Sequence, residues 1–153
     1  MEDSKAIEEK LKTERRFKSG ANWFFWIAGL SIINSIILIA GGKWNFIVGL
    51  GITQLIDAIA SEIGTAGMGV ALVLDIIVAG IFVIFGIFAR KRYTWSFIIG
   101  MILYALDGVL FFVVQDWLGI GFHILVLFFI YSGLSAMKKL SQMKQEQEKT
   151  VKA

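Results

Sequence analysis

Residues 68–89, MGVALVLDIIVAGIFVIFGIFA, contain one charged side chain, Asp75, in a run otherwise apolar on every side. A helix of this length is about 33 Å long at about 1.5 Å per residue, enough for a hydrocarbon core of about 30 Å. A strand is excluded, because lipid offers no partner for open backbone groups and a barrel strand would alternate polar and apolar residues.

Working outward, three more blocks have the same character: residues 21–42, 95–114 and 118–137. The ends of the chain are different. Residues 1–20 carry eleven charged side chains and residues 138–153 carry seven, against nine in all of residues 21–137. The whole chain of 153 residues is 57% hydrophobic and 18% charged, with a mean hydropathy of +0.73. Soluble domains run about 45–50% apolar and about 25% charged. The expected fold is therefore an all-α integral membrane bundle of four spans, with cytosolic tails at 1–20 and 138–153. The apolar run starts after twenty polar residues and has no small residue at the −3 position of a cleavage site, so residues 21–42 are expected to remain as a helix.

Residues 44–64, WNFIVGLGITQLIDAIASEIG, do not fit that simple plan. Gln54, Asp57 and Ser61 fall at i, i+3 and i+7 and share one helical face, which Thr53, Glu62 and Thr65 widen. The segment reads as an amphipathic interfacial helix, a re-entrant element or a fifth span with its polar face turned inward. Lysine and arginine counts bear on the choice. With four spans and the N-terminus inside, fourteen basic residues lie on the cytoplasmic side and Lys43 alone lies outside. A fifth span degrades the pattern to nine against six. An internal similarity pulls the other way. Ala28, Gly29, Ile33, Ile36, Trp44, Phe46, Ile47 and Gly49 recur fifty-one residues later as Ala79, Gly80, Ile84, Ile87, Trp95, Phe97, Ile98 and Gly100. A real repeat would make residues 44–64 transmembrane-like and, with a one-residue slip, set Asp57 opposite Asp107. The preferred expectation is four full spans with residues 44–64 partly inserted.

Composition excludes several functions. With no cysteine there is no disulfide, cysteine nucleophile or thiolate metal site. Nucleic acid is not an expected partner despite the net charge of +3, since the basic residues flank apolar blocks, where they anchor to the cytoplasmic leaflet. No serine elbow, HExxH, phosphate loop or dinucleotide fingerprint occurs, and no cofactor is implied.

The chemistry must come from polar residues inside the blocks. Asp75, Asp107 and His123 sit on three different spans. Counted from the block ends, they lie about 10, 10 and 8 Å below the outer surface. Asn34, Tyr104 and the Gln54–Asp57–Glu62 face complete the candidates. A charge at a helix centre costs about 2.5–3.5 kcal/mol on insertion scales, so such groups face protein or water. Each has a structural explanation as an interhelical hydrogen bond, but that return averages only about 0.6 kcal/mol.

The expectation is ion- or proton-coupled transport or permeation. Asp75 and Asp107 would be its charged sites, His123 a titrating partner, and Glu62, Asp57 and Gln54 an outer vestibule. One alternative is a non-catalytic accessory or assembly subunit of a larger membrane complex. Another is a metal-dependent intramembrane enzyme built on Asp75, Asp107, His123 and Glu62. Beyond the lipid bilayer, a second copy or a membrane complex is the expected partner, because so few helices enclose little space. The compact chain points to a prokaryotic inner membrane, and four spans with the basic residues inside put both termini in the cytoplasm.

Overall fold

The computed structural model describes residues 2–41 and 49–152. Among them the chain forms five helices and no strand: α1 (Glu2–Ile39), α2 (Gly51–Ile63), α3 (Thr65–Arg90), α4 (Thr94–Val113) and α5 (Trp117–Lys152). All but α2 are long and apolar enough to cross a bilayer. The protein is an all-α integral membrane bundle. Its many exposed Ile, Val, Leu and Phe side chains on α3, α4 and α5 would be an aggregation hazard in water, and in lipid they are the solvated surface.

Both charged tails continue the adjoining spans without a break, so α1 has 38 residues and α5 has 36. The two run antiparallel and stay close beyond the apolar blocks, with Leu140 buried on α5, Phe17 buried against Phe97 of α4, and Lys139 paired with Glu9. On the N-terminal tail Phe17 is covered, whereas Ile7 and Leu11 are exposed. Arg16 donates to Ser132 Oγ, and Arg90 donates to Asn22 Oδ1 at 2.7 and 2.9 Å. Arg92 lies over the Phe17 ring, 5.4 Å from its centroid. These contacts gather the two tails and the 90–92 turn at one end of the bundle, the basic end. The opposite end carries the α2–α3 connection at Gly64, whose φ of +89° suits glycine.

Among the described residues of 44–64 there is one helix, α2, and it is too short to cross a bilayer. The described helix has 13 residues, about 20 Å. Lys43, Trp44, Phe46 and Ile47, on which part of the repeat and of the charge count rests, lie outside the described residues. α2 nevertheless begins beside the interior of α1. The chain leaves α1 at Ile39, yet the Leu50 N–H donates to Ser31 Oγ at 2.8 Å, eight residues back along α1 and so about 12 Å into the bundle. From there α2 runs outward to Gly64 and packs against the first half of α3. A Cβ on Gly67 would lie 2.6 Å from the Ala60 carbonyl oxygen, which shows how close the two backbones come. Irregular backbone at membrane depth is tolerable here because protein covers it: Leu50 is fully buried.

Towards the basic end the interior is aromatic. Phe24, Phe82, Phe85, Phe97 and Tyr104 are buried in mutual tilted and edge-to-face contact, with centroids 6.0–6.5 Å apart. Gly100 makes room for this layer, since any Cβ there would run into the Phe24 ring. Gly80 has nothing within 4 Å of a Cβ. Gly100→Ala should therefore cost about 1–3 kcal/mol by overpacking. Gly80→Ala should be neutral or gain about 0.5–1 kcal/mol from helix propensity. Thermal unfolding in detergent checks both, and equal melting temperatures for the two variants would contradict this packing.

Candidate functional site

The site is best built from the first turn of α2. The opening N–H groups of a helix have no partner within it, and Leu50 at the cap position has no side-chain oxygen to offer. The partner comes from another helix. Asp107 of α4 accepts from the Gly51 N–H with Oδ2 at 2.7 Å and from the Ile52 N–H with Oδ1 at 2.9 Å. A carboxylate at this terminus also meets the positive end of the helix dipole. The seat is tight. A Cβ on Gly51 would lie 2.7 Å from the Phe111 ring and 3.3 Å from the Asp107 carbonyl oxygen, so glycine is required where α2 abuts α4.

His123 of α5 completes this centre. Its Nδ1 is 2.9 Å from the Gly119 carbonyl oxygen and its Nε2 is 3.0 Å from Asp107 Oδ2. A carbonyl oxygen only accepts, so Nδ1 carries hydrogen. The imidazole stacks on Tyr104 at 4.3 Å and 14° and lies against Phe111 at 4.7 Å. Gly108 clears its path, since a Cβ there would come within 3.1 Å of the ring. The Tyr104 hydroxyl is buried without a hydrogen-bond partner.

Asp75 belongs to a second centre. It is fully buried, and the Ser35 hydroxyl of α1 donates to its Oδ2 at 2.7 Å. A second acid, Asp57 of α2, has its carboxyl within hydrogen-bonding reach of Asp75. Asp57 in turn lines a cavity of about 270 Å³ between α1 and α2, with Asn34, Leu38, Gln54, Ala58 and Ser61 as the other walls.

The structure redistributes the sequence candidates. Asp107 and His123 meet, from separate helices. Asp75 does not join them, because the first turn of α2 wedges between α3 and α4 and takes Asp107 as its cap. Depths counted along each helix are also misleading. Asp75 is ten residues into α3, about 15 Å, yet its partner Ser35 is only four residues, about 6 Å, from the end of α1. The α2–α3 hairpin projects past the end of α1, so Asp75 lies about one turn nearer that surface than the Ser31–Leu50 contact.

Gln54, Asp57 and Ser61 line one cavity, and Asn34 faces them. Glu62 does not; it is exposed on α2 and forms no part of the cavity wall. Thr53 turns into the core and donates to the Leu50 carbonyl. Among the described residues no three His, Asp or Glu side chains gather to hold a metal, so the expected set of Asp75, Asp107, His123 and Glu62 is not assembled. Sequence reasoning passed over Ser31 and gave Ser35 no role. Their spacing of four, beside Asn34, places all three near one face of α1, and that was the available signal.

No family model, no curated protein and no solved structure matches this chain.

Proposed function

We propose that the protein binds a proton or small cation at the Asp57–Asp75 pair and conducts or exchanges it across the membrane. The observation carrying this reading is Asp75 itself: a fully buried carboxylate with a second acid, Asp57, within hydrogen-bonding reach. Two adjacent buried carboxylates repel unless a proton or a cation lies between them. Asn34, Gln54 and Ser61 give Asp57 a polar approach from the Gly64 end.

With the basic end placed in the cytoplasm by its lysines and arginines, the approach faces outward. The aromatic layer of Phe24, Phe82, Phe85, Phe97 and Tyr104 closes the way to the other side, so passage requires that layer to part. Asp107 and His123, which the sequence suggests as charged and titrating sites, serve in this reading as the anchor that holds α2 beside the acids.

The test is flux into liposomes carrying the reconstituted protein, read by a pH-sensitive or cation-sensitive dye. Wild type should move protons or cations above empty liposomes. Asp75→Asn should cut the rate roughly tenfold or more, equivalent to about 1.4 kcal/mol of lost barrier lowering. Equal flux in wild type, Asp75→Asn and empty liposomes would overturn the proposal. Recovery of a fixed membrane partner in mild detergent would then support the accessory-subunit alternative.

A further inference from the structure

We infer that the corner where α1 passes the 90–92 turn is a binding site for an anionic phospholipid of the surrounding leaflet, with the phosphate held by Lys18, Arg90 and Arg92 and an acyl chain laid along the open face of α1. The inference does not depend on the function proposed for the acids.

The fold, not adjacency in the chain, gathers these cations. Lys18 Nζ lies 3.3 Å and an Arg92 Nη 4.0 Å from the same Glu14 oxygen, so the two share one carboxylate. One turn further along α1, Asn22 Oδ1 accepts two N–H groups of Arg90, whose guanidinium lies 4.9 Å from the centroid of the Phe25 ring. Arg15 and Lys91 are exposed beside them. Against these five cations, residues 13–25 and 84–97 hold a single carboxylate, Glu14. The surplus charge suits an anion from outside the protein. A guanidinium already held in place meets phosphate oxygens with a planar fork of donors and loses less freedom on binding.

The turn keeps this arrangement at a cost. Arg92 has a φ of +67°, the left-handed conformation in which helices usually end on glycine. Glycine would make the same turn without strain, and would bring no guanidinium to the corner.

Depth points to lipid as the source of the phosphate. Trp26, one turn beyond Asn22, is 61% exposed, and Tyr93 and Trp95 are exposed around the start of α4. Amphipathic rings of this kind sit at the headgroup level. Beyond Trp26, α1 offers Gly29, with nothing within 4 Å of a Cβ, then Ile33 and Ile36, both exposed. Helical spacing puts Lys18, Asn22, Gly29, Ile33 and Ile36 on one face. The step from Asn22 to Ile33 is about 16 Å, close to half of a hydrocarbon core of about 30 Å. A headgroup at Lys18 and Arg90 therefore sets its chain on this strip.

The test titrates the full-length protein in nonionic detergent with phosphatidylglycerol and follows its melting temperature. Phosphatidylcholine with the same chains, and free glycerol phosphate, are titrated in parallel. Phosphatidylglycerol should give a saturable rise of several degrees, and the other two should give none. The rise should shrink about threefold or more in the double variant Lys18→Gln, Arg90→Gln. It should persist in Lys144→Gln, Lys149→Gln, which removes the same charge from the exposed far end of α5. Arg90→Lys keeps the charge and loses the fork, so its response should be intermediate; it keeps the test decisive if the double variant does not fold. Equal responses to the two lipids, a full response in both Arg90 variants, or an equal loss in the distal variant would overturn the inference. Saturation by free glycerol phosphate at the same concentration would overturn the assignment to lipid.

Discussion

Asp107→Ala should unseat α2. The substitution removes the acceptor for two backbone N–H groups at Gly51 and Ile52 and leaves His123 Nε2 without its carboxylate. Deleting one member of a buried charged pair costs about 3–5 kcal/mol, because the groups left behind have no water to replace it. The absence of native cysteine makes a clean reporter available. Thr53 is buried on α2, so a single Thr53→Cys should be protected from a thiol reagent in the parent protein and readily modified once Asp107→Ala is added. A lowered melting temperature should accompany that exposure. Asp107→Asn is expected to fall between the two, since an amide oxygen can accept one of the N–H groups while its NH₂ faces another donor. If the introduced thiol stays protected and the melting temperature holds in Asp107→Ala, α2 is secured by something other than its remote cap.

Gly133→Val is expected to have a comparable effect for a different reason. At the crossing of α1 and α5, a Cβ on Gly133 would lie 2.7 Å from Gly20 Cα, and one on Gly20 would lie 2.5 Å from Gly133 Cα. The obstacle is backbone on both sides, so no side chain can swing away. Overpacking a core usually costs about 1–3 kcal/mol, and a branched side chain between two backbones belongs at or above the top of that range. The two helices would have to part, pulling on Arg16–Ser132 and on the Phe17 and Leu140 packing further along. Equilibrium unfolding in mixed detergent measures the loss. Wild-type stability in Gly133→Val would mean that the close approach of α1 and α5 is not a feature of the folded protein.

These two effects show how differently parts of the molecule were written in the chain. Residues 68–89 and the three similar blocks had to be spanning helices, because a long apolar segment in lipid has no other way to pair its backbone. The polar face of Gln54, Asp57 and Ser61 was also legible, since helical periodicity alone places them together. Charge asymmetry put the tails and the 90–92 turn at one end, and the packing of α1, α3 and α5 at that end agrees.

Only the tertiary structure decided what the buried acids do. Asp75 and Asp107 look alike in sequence, each a single carboxylate in an apolar run. Their roles diverge because a half-helix enters between them. Its open N–H groups claim Asp107, with His123 behind it, while Asp57, carried on the same half-helix, comes to face Asp75. Where that helix turns back depends on which carboxylate and hydroxyl lie within reach of Leu50, Gly51 and Ile52, a contact between residues 19 and 56 positions apart in the chain. Local periodicity carries no information about such pairings. They follow from the stagger of helix ends and the depth at which unpaired backbone can find a partner.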